Sequence, residues 1–124
     1  MEIADLARRA VDVRERIAQF ERKNYGTEWT TTDLVCGLMT DVGDLAAAIQ
    51  RVQGRRPARD TPPMEELEHE LGDCLWVLLV LAERFDIDLD AAFDSTMVSI
   101  DSWLERAAGS EPAENVDTSK LPKG

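Results

Sequence analysis

Apolar residues recur at alternating intervals of three and four positions along most of the chain, which is the spacing of an amphipathic α-helix. The pattern predicts four helices, over residues 3–22, 32–53, 64–85 and 88–104. We expect Thr31 or Thr32 to be the N-cap of the second helix and Gly54 to end it. The apolar stripes that we expect to face a core are as follows: Ile3, Leu6, Ala10, Val13, Ile17 and Phe20; Val35, Leu38, Val42, Leu45, Ile49 and Val52; Met64, Leu67, Leu71, Leu75, Leu78, Ala82 and Phe85; Leu89, Ala92, Phe93, Met97 and Ile100, with Trp103 or Leu104.

Glycine and proline fall mainly between and after these segments. Residues 24–29 read as a loop, and the polar residues 55–63, which include three prolines, read as a linker. From residue 109 onward the chain has no periodicity and few apolar groups. The sequence therefore predicts one all-α domain over residues 1–108 and a disordered tail over residues 109–124.

The second half of the third helix, residues 74–82, is apolar on every side. A helix of this kind is buried all round. Four short helices cannot easily surround one of their own members. We therefore expect a partner chain to complete the four-helix bundle, in a homodimer or a homotetramer.

The charge of the chain excludes some partners. The formal net charge is −11, which repels nucleic-acid polymers and anionic membranes. A small phosphorylated ligand requires metal ions to offset the same repulsion. Cys36 and Cys74 stand alone in apolar helical contexts and read as buried, reduced thiols. Because residues 1–9 do not resemble a signal peptide, we expect a cytoplasmic protein.

Four acidic residues form two pairs with a spacing of three: Asp41 with Asp44, and Glu70 with Asp73. Residues three apart are neighbours on a helix surface. Each pair flanks the apolar stripe of its helix in the same rotational sense, so helices packed along these stripes would point both pairs into one cleft. Oxygen ligands suit hard cations such as Mg²⁺ or Mn²⁺, which also relieve the repulsion. The alternative is a solvated acidic surface. If the two pairs were the only observation, this alternative would be favoured.

Residues 38–49 and 70–73, with the apolar run 74–82 and residues 86–89, resemble the two motifs of the MazG-like nucleotide pyrophosphohydrolases. These enzymes belong to the all-α NTP pyrophosphatase superfamily. The resemblance implies a MazG-like four-helix bundle as the fold. It implies an enzyme that removes unwanted nucleotides from the cellular pool as the function. It implies hydrolysis of a nucleoside triphosphate between its α and β phosphates, giving a nucleoside monophosphate and pyrophosphate. It assigns Mg²⁺ binding and catalysis to Asp41, Asp44, Glu70 and Asp73.

Several further residues are weaker candidates. The resemblance implies that Trp29 lines a base pocket, although Trp29 could equally plug the end of the bundle. Arg55, in the only basic group of the chain, is a candidate for binding phosphate, with a solvated linker as the alternative. Glu66 is a candidate additional metal ligand, one turn before Glu70. His69, the sole histidine, receives no role.

Three departures from the family pattern bear on catalysis. Thr40 stands where the first motif has a glutamate, Asp41 and Asp44 replace the next two glutamates, and residues 96–100 lack the lysine and asparagine that many members carry. The first and third departures favour a non-catalytic relative that binds metal or nucleotide in a regulatory or adaptor role. The four acids favour the enzyme. Phosphoribosyl-ATP pyrophosphohydrolase activity, which uses the same chemistry, is a less favoured enzymatic alternative.

Overall fold

Four α-helices contain most of residues 2–110, the part of the chain that the computed structural model describes. They are α1 (Ile3–Tyr25), α2 (Thr31–Val52), α3 (Pro63–Arg84) and α4 (Leu89–Ala108). These residues contain no strand, which confirms the predicted all-α class. None of the helices described is long and apolar enough to cross a membrane. The predicted disordered tail over residues 109–124 lies almost entirely outside the described residues.

A capping box fixes the start of α2. The backbone N–H of Asp33 donates to the hydroxyl oxygen of Thr30 at 3.2 Å, and Asp33 accepts from the backbone N–H of Thr30 at 2.8 Å. The prediction of Thr31 or Thr32 as the N-cap was wrong, because Thr30 alone of the three threonines has an acid three residues later. The Asp33 carboxylate accepts both from the Thr30 backbone N–H and, at 3.0 Å, from the Thr30 hydroxyl, and these two hydrogen bonds lower the pKa of Asp33.

The third helix packs against both α2 and α1, and more extensively against α2. Trp76 joins α3 to α1 directly, because its indole N–H donates to the carbonyl oxygen of Ala10 at 3.1 Å. From Asp90 onward α4 belongs to a separate unit. None of the α4 residues is buried, so the prediction that its apolar stripe faces a core was wrong for this unit. The buried core lies within the first unit and consists of Ala10, Leu34, Val77, Leu79 and Val80.

The inward faces of α2 and α3 differ from the stripes that the apolar pattern predicts. Most of the predicted α2 stripe is exposed, by 39–51% at Val35, Val42, Ile49 and Val52. The inward line of α2 is the neighbouring one, made of Leu34, Leu38, Asp41, Leu45 and Ala48. On α3 the predicted positions Leu71, Leu75 and Leu78 are also 46–53% exposed, whereas Val77 and Val80 are buried. Both helices therefore carry two apolar faces, of which only one is covered within residues 2–110. Cys36 of α2 is also exposed, so the prediction that both thiols are buried is wrong for Cys36, while Cys74 is buried.

Candidate metal centre

Three carboxylates from two helices meet where α2 packs on α3. Asp41 and Asp44 of α2 and Glu70 of α3 each place one carboxylate oxygen within 4.8 Å of the other two. Asp41 is half-buried because it lies on the inward line of α2, and Asp44, one turn later, is exposed. Glu70 is half-buried on α3. The structure thus brings together three of the four acids that the sequence singles out.

The fourth acid, Asp73, lies beside this group but is not part of it. Its carboxylate is 3.3 Å from the Nε2 atom of His69, one turn earlier on α3. Asp73 is nevertheless close enough to raise the pKa of both Asp41 and Glu70. Sequence reasoning gave His69 no role, although its spacing of four from Asp73 is the signal that could have revealed the contact.

Burial and mutual repulsion both disfavour the charged forms of these acids. Burial is the larger cause of the raised pKa of Asp41 and of Glu70, and the neighbouring carboxylates add to it. The Cys74 thiol, one turn after Glu70, also has a raised pKa, first from burial and then from the acids. One oxygen of Glu70, Oε2, is buried and has no hydrogen-bond partner among the described residues. A hard divalent cation would satisfy that oxygen and relieve the repulsion, so the donor set fits Mg²⁺ or Mn²⁺.

A cavity of 350 Å³ opens beside Asp41. Two tryptophans, Trp29 and Trp76, contribute to its wall, together with apolar side chains of the core. A largely apolar hollow with a few polar groups is typical of small-molecule sites. The sequence singled out Trp29 but missed Trp76, which it placed only within the apolar run. The complete lining is Trp29, Leu34, Gly37, Thr40, Asp41, Asp73, Trp76 and Val77.

The threonine in the first motif is a neighbour of this cavity. Thr40 lies next to Asp41 in the cavity wall, and its hydroxyl donates to the carbonyl oxygen of Cys36 at 3.4 Å. A threonine adds neither a negative charge nor a general base at neutral pH. Thr40 therefore contributes no carboxylate to the site.

Two arginines, one at the end of α2 and one in the segment that follows it, contact Glu66. Arg51 is buried and binds Glu66, with 2.5 Å between Nη1 and Oε1, and Nη1 of Arg59 lies 3.8 Å from the same oxygen. Both arginines contact Oε1, whereas Oε2 of Glu66 is buried and has no hydrogen-bond partner among the described residues. Glu66 is not one of the three acids within 4.8 Å of one another, and its role as an additional metal ligand stays a prediction. Arg55 is exposed, and its backbone N–H donates to the carbonyl oxygen of Gln50 at 2.8 Å. A phosphate-binding role for Arg55 stays a prediction.

Known proteins resemble this chain across the region that holds the acids. Residues 30–101, more than half of the chain, match the family model of the MazG nucleotide pyrophosphohydrolase domain. The uncharacterized protein YpjD of Bacillus subtilis (strain 168) is 31% identical over 81 residues, which cover 61% of this chain and 73% of YpjD.

Two solved structures are also similar to this chain. The crystal structure of YPJD from Bacillus subtilis gives a TM-score of 0.51 at 26% identity and covers 73% of this chain and 92% of that one. The Bacillus-conserved MazG protein, a nucleotide pyrophosphohydrolase, gives a TM-score of 0.48 at 21% identity and covers 73% of this chain and 87% of its own. The family match spans α2 and α3 entirely, and with them all four acids. The chain therefore belongs to the MazG nucleotide pyrophosphohydrolase domain family.

Proposed function

We propose that this protein is a divalent-metal-dependent nucleoside triphosphate pyrophosphohydrolase. It cleaves ribo- or deoxyribonucleoside triphosphates between the α and β phosphates and releases a nucleoside monophosphate and pyrophosphate. The observation that carries the proposal is the meeting of Asp41, Asp44 and Glu70 within 4.8 Å. Membership of the MazG family supports the same reaction class.

The acids would hold Mg²⁺ or Mn²⁺, with Asp73 as the additional ligand of the proposal. Such a cation neutralises triphosphate charge and lowers the pKa of a bound water, which makes that water a better nucleophile. Without a cation, the carboxylates Asp41, Asp44 and Glu70 would repel a triphosphate, and the net charge of −11 would add to that repulsion. This electrostatic balance makes activity strictly dependent on metal.

The cavity beside Asp41 is the proposed place for the base. Trp29 and Trp76 supply aromatic surface, and aromatic side chains stack on any nucleobase by about 1–3 kcal/mol. Since Asp41 and Asp73 also line this cavity, a base held there would extend its phosphates toward the carboxylates. The position of the cavity thus links base binding to the metal centre.

A second copy of the chain is the proposed cover for the outer faces of α2 and α3. Leu71, Leu75 and Leu78 are about half exposed along one line of α3. On α2 the exposed positions Val35 and Val42 follow a similar line. Contiguous apolar surface of this kind marks an interaction site. The proposal is a homodimer or homotetramer, as the all-apolar half of α3 predicts.

The second candidate function is a non-catalytic relative that binds metal or nucleotide as a regulator or adaptor. Thr40 favours it, because a threonine supplies no carboxylate to help activate water. Its hydroxyl donates instead to the carbonyl oxygen of Cys36. The two candidates share the metal centre and differ in turnover, so they are separable by experiment.

Phosphorus NMR of a nucleotide reaction tests the proposal. A panel of canonical and modified NTPs and dNTPs is incubated with the protein and Mg²⁺, then with Mn²⁺. We expect nucleoside monophosphate and pyrophosphate as products, a loss of turnover by orders of magnitude in Glu70→Gln, and near-normal turnover in Glu68→Gln, an exposed glutamate on the same helix. Metal-dependent binding without turnover would select the non-catalytic relative. A nucleoside diphosphate and orthophosphate as products would refute the proposed bond.

A further inference from the structure

The position of Trp29 decides the shape of the cavity beside the acids. Trp29 lies between α1 and α2, outside both helices. Its ring lies against Gly37, where an added Cβ would come within 2.8 Å of the Trp29 Cζ3 atom. Trp29 and Gly37 line both the 350 Å³ cavity beside Asp41 and a second cavity of 510 Å³. A shift of this one ring would therefore change both hollows.

A buried carboxylate on α1 ties down the backbone of Trp29. The N–H of Trp29 donates to Oε1 of Glu21 at 3.1 Å. The Glu21 side chain is only 9% exposed, and the same oxygen accepts from Nη2 of Arg14, whose side chain is 7% exposed. Arg14 lies two turns earlier on α1 and holds the carboxylate in place.

An ion pair this deeply buried is not explained by stability alone. Removing two charges from water is costly, and well-packed apolar residues of similar volume are often as stable or more so. An apolar pair at Arg14 and Glu21 would nevertheless leave the Trp29 N–H without this acceptor. The pair therefore supplies something that an apolar pair cannot, namely a fixed hydrogen-bond acceptor for the loop.

A second ion pair reaches the same loop from the protein surface. Arg22 of α1 binds Glu28 at 2.9 Å and Glu15 at 3.2 Å, and these side chains are 43–60% exposed. Exposed pairs of this kind contribute little because solvent screens them and both side chains lose entropy. The Glu21 contact is thus the stronger anchor of Trp29.

We propose that Glu21 is a positioning residue that holds Trp29 against Gly37 and so fixes the wall on which the base rests. The proposal rests on the proposed function of the cavity as a nucleotide site. The cluster carboxylates are on α2 and α3, whereas Glu21 is on α1. Loss of the contact therefore weakens substrate binding and leaves the metal centre unchanged.

Two double variants isolate the contact. Arg14→Met/Glu21→Gln and Arg14→Met/Glu21→Met both remove the buried charges, so neither leaves a charge unpaired, but only the glutamine keeps an acceptor for the Trp29 N–H. The chain has three tryptophans, and Trp29→Phe assigns the indole resonance of Trp29. Glu15→Gln, which changes an exposed pair on the same helix, is the surface control.

We expect the heteronuclear NOE of the Trp29 indole N–H to fall in the Met/Met variant only. The KM for nucleotide should rise about three- to tenfold relative to the Met/Gln variant, since each binding event must order the loosened side chain again. The kcat value and the Mn²⁺-induced rise in melting temperature should stay unchanged. Glu15→Gln should match the parent protein in the NOE, the KM, the kcat and the Mn²⁺-induced rise in melting temperature.

An equal NOE in the two double variants would overturn the proposal, and so would a fallen NOE with an unchanged KM. A parent protein without turnover would refute the proposed function, while the NOE would still decide whether Glu21 fixes Trp29. If the Met/Met variant does not fold, amide hydrogen exchange of the parent decides instead. The Trp29 backbone amide should be protected although it lies outside the helices, and exchange at the rate of a free amide would overturn the proposal.

Discussion

Neutralising Glu70 should stabilise the metal-free protein. Glu70→Gln keeps the shape of the side chain and removes one of three charges that lie within 4.8 Å of one another. Two carboxylate charges at that distance repel each other by about 0.9 kcal/mol in a water-like dielectric, and by more where water is partly excluded. Glu70 takes part in two of these pairs, with Asp41 and with Asp44.

The expected gain in the free energy of unfolding is about 1–2 kcal/mol, because side chains can swing apart and relieve part of the repulsion. The gain should appear as a melting temperature several degrees higher in the presence of EDTA. Millimolar Mn²⁺ should raise the melting temperature of the parent protein by mass action, and it should raise that of Glu70→Gln much less.

Calorimetry or circular dichroism follows both effects. Glu68→Gln is the matched control, since it is the same substitution two residues away at an exposed position. It should change neither the stability in EDTA nor the response to Mn²⁺. If Glu70→Gln behaves like Glu68→Gln in both conditions, the acids are a solvated surface and the reasoning is refuted.

Three further predictions concern the cavity, the assembly and pH. Gly37→Ala should raise the KM for nucleotide, because the added Cβ would displace the ring of Trp29; an unchanged KM in this variant would contradict the prediction. Gly43→Ala, where the added Cβ meets open space, should instead stabilise the protein by about 1 kcal/mol. Leu75→Gln/Leu78→Gln should dissociate the oligomer while helix content persists, as light scattering and circular dichroism would measure; an unchanged mass would place the interface elsewhere. Because the pKa of Glu70 is raised above its ordinary 4.5, the metal-free protein should lose stability as the pH rises through that raised value. Denaturant unfolding from about pH 4 to about pH 7 should show a smaller loss of stability in Glu70→Gln than in the parent protein. An equal loss in the two proteins would contradict the raised pKa of Glu70.

The helices were predictable because their signals are local. Apolar spacing gave four helices, and the ends agree within a few residues because Gly26 and Gly54 adopt the left-handed backbone beyond α1 and α2. The inward faces were less predictable. Val35 and Leu34 are both apolar, and only the packing of α2 on α3 decides that Leu34 is buried.

The candidate site divides in the same way. The spacing of three within each acid pair predicted neighbours on one helix, and the common rotational sense of the two pairs relative to the apolar stripes predicted that they share a cleft. The spacing of four places His69 beside Asp73 on one helix face, but side-chain rotamers decide whether the two groups meet. The burial of Arg14 and Glu21 was not predictable either, because charged residues on a helix are ordinarily exposed and the acceptor that Trp29 needs is visible only in three dimensions.

Isothermal titration of Mn²⁺ into the metal-free protein is the decisive measurement of whether the carboxylates of Asp41, Asp44 and Glu70 form one divalent-metal site. We expect saturable binding that weakens as the pH is lowered, because burial and repulsion raise the pKa of Asp41 and Glu70 and metal binding requires their charged forms. Glu70→Gln should weaken this binding by at least tenfold, while Glu68→Gln should not. Binding that is absent, or that is equally strong in the two variants, would refute the shared site.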